Sequence, residues 1–539
     1  MSEHDMPTTL PRALAANAAS AGDMPALVTD GERITWAELA AAARALAAGL
    51  IALGVAPGDR VAVWLPNGSD WLVAHWAATL AGAIVVPLNT RNRPAEVRYI
   101  LEHAGAAALI MRDNFLRMDY LAGLPEILTG GLPDLRGVIV RQMESRDLPA
   151  PAIAWDDAEH RGNGIASDQL AAATAAVAPD DTHMLMYTSG TTGFPKGAML
   201  THAGLMRSAR HHYQSWGFQP GDAILVPGPL SHIIGVVYGC VMPAVGQVVP
   251  VTVSVFDAER VLALIQEYRP VVMTGTPTHF QLLAEHPRLA DFDVSSLRIG
   301  MAGGAASTPD AVRRVTERLG LEALVNGLGM SEAGSVAHTD PSDPPEIHAT
   351  TVGRPMPWLE TRIVDPGTMA DQSAGDPGEL WIRGTGVMKG YFRDPVATAA
   401  ALTAEGWLRT GDLLRRGDDG NLRFVGRLKD LFTVGGFNVY PAEVERVLAE
   451  HPAVAECQVV GVPDARLGDV PFAIVRFQPG ARASAEELIA FCAARLANYK
   501  VPRQVHVIES FPLLAAGKRD RMALRDLARR VAAVAAGDA

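Results

Sequence analysis

The run Tyr187-Thr-Ser-Gly-Thr-Thr-Gly-Phe-Pro-Lys-Gly197 concentrates five hydroxyl side chains, three glycines and one lysine behind the apolar stretch Met184-Leu-Met186. Glycines allow a tight turn and close approach of the backbone to a ligand. Free backbone N–H groups and hydroxyls make a concave anion site. Lys196 adds a mobile point charge suited to phosphate. The predicted chemistry is a grip on nucleotide phosphates through Thr188, Ser189, Gly190, Thr191, Thr192, Gly193 and Lys196. A run rich in Gly, Ser and Thr is by default only a turn, but the Pro-Lys-Gly ending after a strand favours the phosphate reading. It is not the common P-loop, which ends Gly-Lys-Ser/Thr, because Pro195 and Gly197 flank the lysine.

Further segments offer complementary chemistry. Asn326-Gly327-Leu328-Gly329-Met330-Ser331-Glu332 sets a carboxylate behind a small, flexible segment, and Mg²⁺ on a nucleotide takes one or two carboxylates plus phosphates. Trp407-Leu-Arg-Thr-Gly-Asp412 presents a second carboxylate after an expected tight turn; such a group can accept ribose hydroxyls. Gly303-Gly304-Ala305 follows an expected strand over 297–299. Pro229-Leu-Ser-His232-Ile-Ile-Gly235 places an imidazole in an apolar context, where histidine is by default a core residue. Region 230–245, with Tyr238 and small residues, suits a hydrophobic group. Gly435-Gly436-Phe437-Asn-Val-Tyr-Pro-Ala-Glu443 reads as a glycine turn entering a helix, and Gly517-Lys518 follows Pro512-Leu-Leu-Ala-Ala.

In this order and spacing the motifs resemble those of the adenylate-forming (ANL) superfamily: acyl-CoA synthetases, aryl-CoA ligases, luciferases and peptide-synthetase adenylation domains. The resemblance spans residues 25–525. It implies an α/β fold. A large N-terminal domain, residues 1–428, would hold two α/β sheets plus a small β-barrel, and a small mobile α/β domain would span 429–539. It implies an acid:CoA ligase working through an acyl-adenylate, with ATP, Mg²⁺ and coenzyme A. A stand-alone ligase loading a carrier protein, or an aryl-CoA ligase, stays open. So does the identity of the acid, expected to be a hydrophobic monocarboxylate.

The resemblance also distributes roles. Residues 188–193, Lys196, Gly303, Gly304, Ala305, 326–331, Asp412, Arg427 and Lys518 would hold the nucleotide, with Ser331 near the α-phosphate. Glu332 and Ser189 would hold Mg²⁺; Lys518, Lys196 and His232 would be catalytic. His232, Tyr238 and Gly303 would border the acyl group, and Gly435, Gly436 and Phe437 the CoA tunnel. Lys429 would be the hinge. Two positions depart from the pattern: Leu328 replaces an aromatic residue that stacks on adenine, and Leu514 replaces a threonine.

Composition bounds the rest. A chain of 539 residues exceeds a single core. A net charge of −12 argues against general nucleic-acid binding. Cys240, Cys457 and Cys492 are far apart and form no metal or disulfide pattern. The acidic N-terminus lacks the cationic region of a secretory signal, so a cytoplasmic enzyme is expected. The charge-poor stretches 71–88 and 223–256 are interrupted by Pro and Gly; a spanning helix needs about 20 continuous apolar residues. No membrane span is expected, and oligomeric state, monomer or homodimer, is left open.

The elements that must position these residues alternate. Helices are expected over 36–53, capped by Thr35 and Glu38, and over 70–81, 258–268, 441–451 and 485–496; strands over 60–65, 83–86 and 271–274. Such alternation indicates largely parallel sheets. Residues 141–180 read as a surface excursion, and 379–383 and 422–425 as antiparallel strands.

Overall fold

The computed structural model describes residues 8–188, 194–303, 309–434, 437–464, 466–512 and 519–536. They form two compact units. One comprises residues 1–349, 355–360 and 383–408; the other comprises 350–354, 361–382 and 409–539.

The first unit is built on two mixed, mostly parallel sheets. In one, the strands run in the order Lys196–Thr201, Thr182–Thr188, Ile84–Pro87, Arg60–Trp64, Ala106–Arg112, Gly137–Arg141, Ala152–Ala154. In the other, Gly334–His338, Ala323–Met330, Ile299–Gly303, Val272–Gly275, Ala223–Leu225, Val249–Thr252 and Pro25–Thr29 follow one another. The central strands are continuous apolar runs because helices cover both faces.

Local chemistry sets the helix starts. Helix Trp36–Ala52 begins at a full capping box: the Thr35 N–H donates to Glu38 at 2.8 Å, and the Glu38 N–H donates to Thr35 Oγ1 at 3.3 Å. Helix Ser69–Leu80 is buried along its length from Trp71, as expected for the charge-poor stretch. Among the described residues no helix is long and apolar enough to cross a membrane.

Two expectations are corrected. Residues 141–180 are not only a surface excursion, because strand Ala152–Ala154 joins the sheet and helix Trp155–Gly162 packs on helix Trp36–Ala52. The contact is backbone on backbone: a Cβ at Gly49 would lie 2.4 Å from the Ala158 carbonyl oxygen, and one at Gly162 2.6 Å from the Gly49 nitrogen. The expected small β-barrel is, among the described residues, an open sheet of four strands, Leu359–Val364, Gly378–Gly384, Leu408–Arg416 and Leu422–Arg427. A barrel must pair its first strand with its last, and here the two outer strands stay edges.

The second unit also carries a five-stranded sheet. Phe437–Val439, Phe432–Val434, Gly468–Phe477 and Val454–Asp464 follow in order, with Gln504–Val507 added parallel to Gly468–Phe477. Helices Pro441–Ala449, Ala485–Ala493 and Arg521–Ala536 flank it in sequence. Pro441 occupies the first helical turn, where its missing N–H costs nothing.

Candidate functional site

In open α/β sheets ligands gather at the carboxyl ends of strands, and three predicted segments lie there. Thr188 ends strand Thr182–Thr188, and the antiparallel ladder sets Lys196 directly opposite it. Lys196 is therefore the first residue of the returning strand. Ser189, Gly190, Thr191, Thr192 and Gly193 lie outside the described residues.

Helix Pro94–Ala104 braces both flanks of that hairpin. Tyr99 Oη donates to the Pro195 carbonyl at 3.1 Å, and its ring lies 5.1 Å from that of Phe194. Tyr187 Oη lies 2.8 Å from His103 Nδ1. Burial lowers the His103 pKa and raises that of Tyr187. Both shifts favour the neutral forms. Local sequence patterns give no sign of this brace.

Gly303 ends its strand, which begins at Ile299 and not at Leu297. Its register partner is Gly327 on strand Ala323–Met330. Asn326, Gly327, Leu328, Gly329 and Met330 thus lie on one strand end, with Leu328 half-buried. Ser331 and Glu332 occupy the turn into Gly334–His338, closed by the pairing of Met330 with Gly334. Gly304 and Ala305 lie outside the described residues.

Glu332 is tied to a residue that the motifs did not single out. Tyr391 Oη donates to Glu332 Oε1 at 2.9 Å, and the Met388 N–H donates to the Glu332 carbonyl at 2.7 Å. The Lys196 ammonium lies 5.4 Å from the Tyr391 ring centroid. Tyr391 also bridges Ala198, and the Phe392 N–H donates to Gly197. Segment 388–392 therefore connects the exit of the hairpin at Lys196 to the Glu332 turn. A single carboxylate of this kind fits Mg²⁺ carried in on nucleotide phosphates; among the described residues no group of three or more ligating side chains makes a protein-only metal cage.

His232 caps the short helix Ile233–Val236, its Nδ1 accepting the Ile234 N–H at 3.4 Å. The chain continues as a π-helical turn, Val237–Val241, then Met242–Gly246. Ile233, Val236, Val237, Tyr238, Cys240, Val241 and Met242 are buried. Tyr238 hydrogen-bonds Ser335, and its ring stacks on Trp216 at 5.3 Å. Ile234 Cδ1 comes within 3.9 Å of where a Cβ on Gly303 would lie, so this apolar segment borders the strand ends. Gly235 is required by space, since a Cβ would lie 2.1 Å from the Pro229 carbonyl oxygen.

In the second unit, Asp412 and Arg427 are cross-strand partners joined by an ion pair of 3.1 Å, with Asp412 buried. Asp412 lies within strand Leu408–Arg416, not after a free-standing turn. Buried Glu379 explains the difference. One of its oxygens accepts the Gly411 N–H at 2.9 Å, holding this stretch inside the sheet, while the other accepts the Trp381 indole N–H at 2.8 Å.

Lys429 is the middle residue of a 3₁₀ turn, Leu428–Asp430, joining the unit's two sheets. Its pKa is lowered by partial desolvation, then by Arg427 and Arg521. Asp430 pairs with Arg521 and, at 3.6 Å, with Arg525. Phe437 stacks on Tyr499 at 5.0 Å, and Glu443 pairs with Lys500 at 2.8 Å. Gly435, Gly436, Leu514 and Lys518 lie outside the described residues. Arg519, next to Lys518, is anchored three ways: to Glu456 at 2.8 Å, to the Cys457 carbonyl at 2.7 Å, and over the Phe511 ring at 4.4 Å.

Comparison with known proteins agrees with this architecture. The AMP-binding enzyme family matches residues 14–392, and the AMP-binding enzyme C-terminal domain matches 443–518. A 7a-methyl-1,5-dioxo-octahydro-1H-inden-4-yl-propanoyl:CoA ligase of Mycobacterium tuberculosis is 40% identical over 523 residues, covering 96% of this chain and 99% of the relative. The mitochondrial medium-chain acyl-CoA ligase ACSF2 of Bos taurus is 32% identical over 543 residues, covering 96% and 87%. Among solved structures, the anthranilate CoA ligase AuaEII in complex with anthranoyl-AMP superimposes with a TM-score of 0.83 at 26% identity, covering 99% of this chain and 100% of that one.

Proposed function

The chain belongs to the AMP-binding enzyme family as an AMP-forming acyl-CoA ligase, and on that premise we propose that it activates a hydrophobic monocarboxylic acid for transfer to coenzyme A. The observation that carries the substrate class is the buried apolar segment 233–242 reaching the strand ends through Ile234 beside Gly303. Such a wall rewards burial of an apolar acid body at roughly 25 cal/mol per Å². A second charged group on the acid would lose its hydration against that apolar wall. The relatives named for an indenyl-propanoyl group and for medium-chain acyl groups are consistent with this reading.

A carboxylate is a poor electrophile, because its charge repels nucleophiles and oxide leaves badly. Its attack on the α-phosphate of ATP forms an acyl-adenylate and releases pyrophosphate. Charge gathers on the phosphoryl oxygens, so the protein's work is positioning and electrostatic stabilisation. In this proposal the segment from Thr188 through Lys196 grips the phosphates, and Lys518 neutralises charge at the α-phosphate. Asp412, held by Arg427, receives the ribose hydroxyls. His232 borders the acid carboxylate. Glu332 and Ser189 would hold Mg²⁺, which when bound supplies charge neutralisation on the phosphates. The thiol of CoA, approaching past residues 435–437, then displaces AMP. Lys429 is the pivot between the two half-reactions.

The test is a panel of straight-chain, alicyclic, aromatic and dicarboxylic acids, scored by CoA-dependent release of AMP and pyrophosphate. Apolar monocarboxylates should give the highest kcat/KM. A dicarboxylate as best substrate would sink the substrate class, and ADP with phosphate as products would sink the mechanism.

A further inference from the structure

Tyr391 lies 59 residues from Glu332 and contacts both charged groups assigned to MgATP above. Its hydroxyl donates to Glu332 Oε1 at 2.9 Å, and its ring lies 5.4 Å from the Lys196 ammonium. Its own backbone is fixed independently. The Tyr391 N–H donates to Thr398 Oγ1 at 2.9 Å, Tyr391 bridges Ala198, the Lys389 N–H donates to Met199 at 2.9 Å, and the Met199 N–H donates to Gly390 at 3.0 Å. A ring on an anchored backbone thus contacts both a cation and a turn-borne carboxylate.

We infer that Tyr391 is a positioning residue that holds the Lys196 ammonium and the Glu332 carboxylate in place together, and so couples nucleotide phosphate binding to Mg²⁺ binding. This rests on the roles proposed above for Lys196 and Glu332. The hydroxyl occupies one carboxylate oxygen and aims the other lone pairs; outer-sphere partners of this kind typically change metal affinity 10- to 100-fold when removed. The ring face restrains the ammonium by cation–π attraction, limiting the conformations that Lys196 must lose on meeting a phosphate.

The two contacts can be deleted separately. Tyr391→Phe removes only the hydroxyl, and Tyr391→Leu removes the ring as well. In Tyr391→Phe, half-saturating Mg²⁺ for adenylation should rise about tenfold, with KM for ATP nearly unchanged at saturating metal. Transfer from a supplied acyl-adenylate to CoA should run at the parent rate. In Tyr391→Leu, KM for ATP should rise about a further fivefold. Mn²⁺ binding in the presence of ATP and absence of acid, followed by electron paramagnetic resonance, gives a readout independent of turnover. It should weaken about tenfold in Tyr391→Phe, but not further when Tyr391→Phe is added to Glu332→Gln. Unchanged Mn²⁺ affinity in folded Tyr391→Phe overturns the inference, as does an equal loss in the Glu332→Gln background. A parent enzyme that releases no AMP would sink the underlying assignment instead. An active parent with an unaffected Tyr391→Phe sinks only the coupling.

Discussion

Acid should destabilise the first unit through three buried imidazoles, and His75 provides the sharpest test. His75 on helix Ser69–Leu80, His183 on strand Thr182–Thr188 and His202 at the start of helix His202–Ser215 lie in a row, with ring centroids 5.0 and 4.5 Å apart and the rings edge-on or tilted to one another. Both nitrogens of His75 and His183, and Nδ1 of His202, are buried without a hydrogen-bond partner among the described residues. Burial lowers the pKa of His75 from 6.5 to about 3 and that of His202 to about 4, the latter against the pull of Asp181; His183 is lowered too, by burial and then by its two neighbours. Folded-state pKa values lie below the unfolded value, so the unfolded chain binds more protons between pH 6.5 and the folded value. Stability is therefore full above pH 6.5 and falls as pH falls through that window. At pH 5 the deficit for His75 is about 1.5 pH units at roughly 1.4 kcal/mol each, or about 2 kcal/mol.

The perturbation is His75→Phe, which keeps a ring against Trp71 at the 5.1 Å stacking distance and removes both orphaned nitrogens. Guanidinium unfolding, followed by tryptophan fluorescence at pH 7 and pH 5, should show a parent that loses more stability on acidification. The variant's loss should be smaller by about 2 kcal/mol. An equal loss in parent and variant would refute the reasoning, and would mean that water or local opening solvates His75 in the folded protein.

Two further outcomes concern the half-reactions. Lys518→Ala should cut adenylation by at least a hundredfold, yet leave CoA transfer from a supplied acyl-adenylate within a few-fold of the parent, because one charge-assisted contact is worth about 3 kcal/mol; stopped-flow assays of each half-reaction measure the split, and equal losses would assign Lys518 to both steps or to structure. Lys429→Pro fixes φ near −65°, a value that the Leu428–Asp430 turn tolerates but a pivot cannot leave. Acyl-adenylate should still form while CoA transfer falls at least tenfold, and parent rates for both would place the pivot elsewhere.

What the sequence disclosed was the chemistry that is local in the chain. Thr35 and Glu38 are three residues apart, so their capping box could be read directly and is present. The strand before Tyr187 and the proline-led helix at Pro441 follow from neighbouring residues in the same way. Tyr391 shows the opposite case. Its partners Lys196 and Glu332 are remote in sequence, and no spacing rule joins them. A Gly-Tyr-Phe triplet behind the glycine-rich 384–390 segment was the only local sign. Glu379 was hidden likewise, since a carboxylate beside a strand start reads as solvated until the fold brings Gly411 and Trp381 onto it. The π-helical turn at 237–241 has no composition of its own, and the edges of the four-stranded sheet depend on which strands fail to meet.

The glycine contacts carry a lesson for anyone scanning this enzyme by saturation mutagenesis. At Gly49 and Gly162, and again at Gly235, one added methyl group would collide with main-chain atoms, which cannot swing aside as a side chain can. Every codon change away from glycine there should score as deleterious, although Gly49 and Gly162 join two helices and touch no reacting group. A map of intolerant positions will therefore mark these backbone crossings as strongly as it marks Lys196 or Glu332. Only assays that separate abundance from turnover will tell the two kinds of position apart.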